Sequence, residues 1–164
     1  MGQMNEAGLA NPLFEAWDGP HGLPPFDRIR AEHFASAFAA GMAEQIAEVE
    51  AIAGSAESPT FENTVVAFDR SGRLLDRVSS VFWNLASSET SPALQAVERD
   101  IAPQLAAHAS RIAMHAGLFA RLDALHAARA TLGLDAESLR VLERFHLDFV
   151  RSGARLGDKQ ARYA

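Results

Sequence analysis

The chain contains no cysteine, which excludes disulfides and thiolate chemistry and fits a cytoplasmic protein. It has no apolar run near the roughly 20 residues that a membrane helix needs. Its opening, MGQMNEAGLANPLF, lacks the basic-then-apolar order of a secretion signal. Basic charge is in deficit: the formal net charge is −6, and no basic face or run offers itself to nucleic acid. Strands are missing too, since no period-two alternation lasts more than a few residues and no internal repeat is evident. What remains is 48% apolar and 22% charged, the balance of a globular protein with a respectable core at 164 residues. Alanine is abundant outside a leader rich in proline and glycine, which favours helix.

The stretch SPTFENTVVAFDRSGRLLDRVSSVFWNLASSET, from Ser58 to Thr90, organises the rest. Thr60 can cap a helix with its hydroxyl, and Asn63 three positions on is a weakened capping-box partner. At about 100° per residue, Phe61, Phe68, Leu75 and Phe82 drift slowly around one side. Leu74, Val78, Val81 and Leu85 widen that side into a broad apolar arc. Glu62, Asp69, Arg70, Arg73, Asp76 and Arg77 fall on the other half, with Asp69 and Arg73 at i,i+4 in the favourable order. Gly72 interrupts the pattern at a cost of about 1 kcal/mol against alanine. Because the apolar phase carries across it, one continuous central helix with close packing at Gly72 is expected. Two short helices broken there are the alternative.

Before that helix, residues 1–25 read as an extended arm. Pro12, Gly19, Pro20, Gly22, Pro24 and Pro25 rule out a regular helix. Leu13, Phe14, Trp17, Leu23 and Phe26 argue that the arm packs on the helices, with only its first ten or so residues loose. A first helix is expected from about Ala31 to Ala53, with Phe34, Phe38, Met42 (or Gly41), Gln45-Ile46, Val49 and Ile52-Ala53 at helical spacing and Gly54 as its stop. Ser91-Pro92 opens a third helix, carrying Leu94, Val97, Ile101, Leu105, His108, Ile112 and His115, with a kink at Pro103. Gly117 is expected to separate a fourth helix, about Leu118 to Ala130. Asp135 caps a fifth that runs to about Arg151 with Leu139, Leu142, Phe145, His146, Phe149 and Val150 on its apolar face. Residues 26–156 form the helical domain. Asp158 resembles the cap of a further helix truncated within 157–164, which suggests a boundary inside a longer polypeptide. The fold class is all-α, a multi-helix bundle of five to six helices with an extended N-terminal arm.

Tests for chemistry come back empty. Among the six histidines, His108, His115 and His126 share a face only if one helix continues past Gly117, and no carboxylate stands at ligand spacing. They read as core or interface histidines bonded to backbone or a neighbouring acid. Glu143-x-x-His146 has the spacing of a di-iron bundle, but such a site needs a second copy and two more inward glutamates. Glu32-His33 lacks the second histidine of a metalloprotease helix, and GPHGLPPF lacks the lysine of a phosphate loop. No G-x-S-x-G elbow is present. Leu13, Phe14, Trp17 and Trp83 suit packing of the arm better than an aromatic ligand cage. By these criteria the catalytic and metal residues are none, and substrate-binding residues stay unassigned.

Several segments nevertheless resemble one family. NPLFEAWDGPHGLPPFDRI, EHFASAF with AAGM, SPTFENTVVAFDRSGRLLDRV, PQLAAHASRIAMHAGLFARL and LERFHLDFVRSGARL are similar, in that order, to the N-terminal part of the zinc oligopeptidases. These include thimet oligopeptidase, oligopeptidase A and bacterial peptidyl-dipeptidase (dipeptidyl carboxypeptidase). The NPLF…PPFD leader leans toward the peptidyl-dipeptidase branch, and TFENT followed by SGRLLDRV is the most specific part. The resemblance implies a cytoplasmic parent metallopeptidase with zinc as its cofactor, cleaving short peptides and releasing C-terminal dipeptides. The family's H-E-x-x-H lies far beyond Ala164, so no site residue carries over and this piece is expected to hold no cofactor and to be inactive alone. It would form a wall of the substrate channel, with the missing catalytic domain as partner and an exposed apolar face that supports a homodimer. The alternative is a free-standing helical interaction module without activity; a di-iron oxidase is a third class.

Overall fold

A computed structural model of the chain describes residues 11–154. Helix α1 spans Glu32–Ala53, and a π-helical segment, Phe61–Val66, leads into the single turn α2, Ala67–Asp69. Then follow α3 (Arg73–Ser88), α4 (Pro92–Ala113), α5 (Ala116–Ala128) and α6 (Ala136–Arg151). Strands are absent among the described residues, and the all-α class holds. No helix among them is long and apolar enough to cross a membrane. The expected cap at Asp158 and the loose first ten residues lie outside the described range.

The helix starts follow their local chemistry. Thr60 Oγ1 accepts from Asn63 N at 3.0 Å while Asn63 Oδ1 accepts from Thr60 N at 2.8 Å, so both bonds of the capping box are made. Ser91 Oγ accepts from Leu94 N at 3.3 Å ahead of Pro92, and Asp135 Oδ1 accepts from Ser138 N at 2.7 Å. Helix α4 continues across Pro103, where the ring removes the N–H due to Arg99. Gln104 Nε2 donates to the neighbouring carbonyl of Asp100 at 2.9 Å.

Two expectations are corrected here. The central helix is not continuous: Gly72 sits in the left-handed region at φ 76° and ψ 21°, and the chain turns between Asp69 and Arg73. Ser71 Oγ donates to Phe68 O at 2.7 Å and closes the preceding turn. Glycine reaches this conformation without the Cβ penalty that other residues incur, so the break occurs where the sequence permits it most cheaply. The second correction concerns Gly117, which lies inside α5 instead of separating it. The separator is His115, whose Nδ1 accepts from Leu118 N at 3.2 Å as the cap of α5. Gly117 instead allows close approach, since a Cβ there would stand 3.1 Å from the Cβ of Ala53.

The described residues divide into two compact units, one of residues 11–44 and 72–105, the other of 45–71 and 106–154. The first is built on a triangle of rings. Phe82 meets Phe34 at 5.0 Å and Phe38 at 5.4 Å between centroids, both edge-on, the arrangement that aromatic quadrupoles favour. Leu13, Val78, Leu75 and Ile101 close around them. At Gly41 a Cβ would come within 2.9 Å of the Leu75 backbone, so α1 and α3 touch there through glycine. In the second unit Val49, Val65, Leu118, Leu122 and Leu142 are buried together. Phe68 meets Phe145 and Phe149 edge-on at 5.3 and 5.7 Å. The four phenylalanine and leucine positions that drift along one expected helix are therefore shared out: Phe61 and Phe68 belong to the second core, Leu75 and Phe82 to the first.

Candidate functional site

In the first unit, residues 11–17 of the arm are fixed by polar anchors. Asn11 is buried; its Nδ2 donates to His33 O at 2.8 Å and to Ser36 Oγ at 3.2 Å, and its Oδ1 accepts from Leu13 N at 3.0 Å. Arg77 reaches across from α3, donating from Nη2 to Leu13 O and from Nη1 to Glu15 O, with its guanidinium 4.8 Å from the centre of the Trp17 ring. Trp17 Nε1 donates to Pro12 O at 3.1 Å. An exposed fork of Arg28 on Glu15, at 3.1 and 2.7 Å, holds the Glu15 carboxyl below its ordinary range, mainly through the hydrogen bonds themselves.

Phe14 sits between the two carbonyls that Arg77 grips, so its backbone is held while the residue stays 42% exposed. It borders an open cleft of about 600 Å³ lined also by Glu44, Arg73, Leu74 and Arg77. The Arg73 side chain makes no hydrogen bond or ion pair among the described residues. Sequence reasoning put Arg73 and Arg77 together on a solvated half. It missed that Arg77 spends its charge on the arm, and the available signal was their i,i+4 spacing opposite an apolar leader.

The four residues weighed as an aromatic cage are distributed otherwise. Leu13 is fully buried and Trp17 packs beside the same core. Trp83 remains 41% exposed with its ring edge-on to Phe82. His33 accepts from Arg30 N through Nδ1 at 3.0 Å, so the Glu32-His33 pair opens α1. The GPHG stretch forms one tight turn, Pro20–Gly22.

The remaining candidates lie in the second unit. His108 Nε2 is 2.7 Å from Gln45 Oε1, and His115 caps α5. His126 stacks on His146 with ring centres 3.8 Å apart and planes within 2°. His146 is buried, and its Nε2 lies 2.8 Å from Asp123 Oδ1. Burial pulls His126 below the ordinary histidine range, helped by the nearby His146 and Arg129. His108 is lowered by burial and by Arg111. Parallel rings hold their nitrogen lone pairs in parallel planes, so this pair cannot converge on one ion. Glu143 is 3.7 Å from Arg140, whereas its partner in the E-x-x-H spacing is engaged with Asp123. Among the described residues no three histidines or carboxylates gather as a metal ion would require.

One buried arginine escaped the sequence reading. Arg121 in α5 donates from Nε to Thr64 Oγ1 at 3.2 Å and from Nη2 to Asn63 Oδ1 at 2.9 Å. From Nη1 it reaches the carbonyls of Ser55 and Glu57 at 3.2 and 3.0 Å. It thus locks the capping box and the loop before it to α5. An arginine between Phe119 and Leu122 on an apolar helix face was the signal.

No protein-family model matches the chain. It is 40% identical over 149 residues to the dipeptidyl carboxypeptidase of Salmonella typhimurium, covering 91% of this chain and 22% of that protein. Against the dipeptidyl carboxypeptidase of Escherichia coli it is 40% identical over 146 residues, 89% of this chain and 21% of the relative. Oligopeptidase A of Salmonella typhimurium is 26% identical over 156 residues. The chain thus spans about a fifth of the length of these relatives.

Proposed function

Because the chain belongs to the family of dipeptidyl carboxypeptidase and oligopeptidase A, we propose that it is the helical N-terminal part of a zinc peptidase that releases dipeptides from the C-terminal ends of short peptides. The identity of 40% along nine-tenths of the chain carries this reading. The 164 residues contain no H-E-x-x-H, so the zinc and the general base belong to sequence beyond them. This part acts as wall and support for the channel, and by itself it is inert. Its partners are the catalytic part of the same polypeptide, short peptides, and a second copy docking through exposed apolar side chains. The whole enzyme works in the cytoplasm.

The test compares the chain alone with the polypeptide extended through its in-frame downstream sequence. Each is incubated with an N-acetylated tetrapeptide, and dipeptide release is followed by mass spectrometry. We expect none from the chain alone, and chelator-sensitive release from the extended form. Dipeptides produced by the chain alone, or an extended polypeptide that cleaves nothing, would overturn the proposal.

A further inference from the structure

We infer that the cleft beside the first turn of α3 binds the free C-terminal carboxylate of a short peptide, with the anion on Arg73 and the terminal side chain against Phe14 and Leu74. The volume, about 600 Å³, lies in the range of small-molecule sites and suits a dipeptide or tripeptide. Two guanidinium groups face one carboxylate, Glu44, so the cleft carries net positive charge in a chain whose formal charge is −6. The start of a 16-residue helix adds partial positive charge in the same place.

The two arginines have different tasks. Arg77 is committed to the carbonyls of Leu13 and Glu15. Its contribution is long-range charge and the placement of Phe14. Arg73, four residues earlier and exposed, keeps its fork for a ligand, and a planar guanidinium matches a carboxylate with two parallel hydrogen bonds. Phe14 supplies an apolar surface that is already ordered, because the backbone on either side of it is gripped; little entropy is lost when a ligand covers it. Glu44 completes the lining and disfavours a second carboxylate, which selects a monoanion over a dicarboxylate. The peptide class rests on the proposed function; the demand for a carboxylate beside an apolar group comes from the cleft itself.

Titration of the full 15N-labelled chain with N-acetyl-Ala-Phe, its C-terminal amide, and inorganic phosphate tests this. We expect saturable shifts at the amides of Phe14 and of residues 73–77 with the free acid. The amide should bind about tenfold more weakly or worse, the value of a hydrogen bond to charge. Arg73→Gln should remove the response and Arg73→Lys restore part of it, with circular dichroism unchanged because the side chain is exposed. Phe14→Ala should weaken the acid without touching phosphate. Equal binding of acid and amide, phosphate shifts that reproduce those of the acid, or no shifts at all would each overturn the inference. Dipeptide release by the extended polypeptide is read independently, so either result can fail without the other.

Discussion

Arg121 is the residue on which the second unit spends most polar chemistry. Its guanidinium faces two carbonyls, a hydroxyl and an amide oxygen, none of them a carboxylate. Burying a cation is costly unless its donors are satisfied, and here four acceptors do so. Replacing it with methionine keeps the length but leaves those acceptors without donors. We expect Arg121→Met to lower stability by about 3 kcal/mol in urea unfolding. A loss under about 0.5 kcal/mol would mean that water serves the carbonyls equally well. His126 gives a pH prediction of definite sign. Its folded pKa is lowered, by burial first, so the unfolded chain takes up the proton more readily. Stability is therefore lost as pH falls below the ordinary histidine value of about 6.5. Asp123 and Glu143 pull the other way but are the smaller influences. His126→Phe keeps a ring on His146 and removes the titration. The urea midpoint of this variant should fall less between pH 7.5 and 5 than that of the parent, and an unchanged slope would exclude His126 as a source.

At the scale of elements, the turn at Gly72 is decisive because the two readings of it predict opposite signs. In a continuous helix Gly72→Ala would add about 1 kcal/mol. At φ 76° the same change forces an L-residue into the left-handed region and should cost about 1 kcal/mol. Chemical denaturation of this one variant separates them. Three of the starts needed no tertiary information: Thr60, Ser91 and Asp135 each carry the short side chain that accepts from the third residue on. The break at Gly72 did need it. Periodicity registers only the phase of apolar residues, and the phase from Phe68 to Leu75 persists whether or not the backbone turns between them. His115 was misassigned to an inner stripe for a related reason, since its ring caps α5 and its spacing carries no record of that.

For the whole molecule, the membership of the two cores was hidden in one apolar pattern. Residues far apart in sequence, such as Leu13 with Phe82 or Val49 with Leu142, share a core because the chain returns to each unit after visiting the other. The proposed peptidase function is tested at this scale as well: we expect dipeptide release from the extended polypeptide and none from the chain alone. The sequence by itself determined the helical class, the capped starts and the resemblance to the oligopeptidases, because propensity, caps and motifs act over a few residues. Tertiary structure alone decided that Arg77 grips the arm, that Arg121 holds the loop before the π-helical segment, and that Phe14 and Arg73 border one cleft. Those pairings depend on which distant backbone groups come within hydrogen-bond reach, and the distance along the chain, up to 66 residues for Arg121 and Ser55, carries no such information.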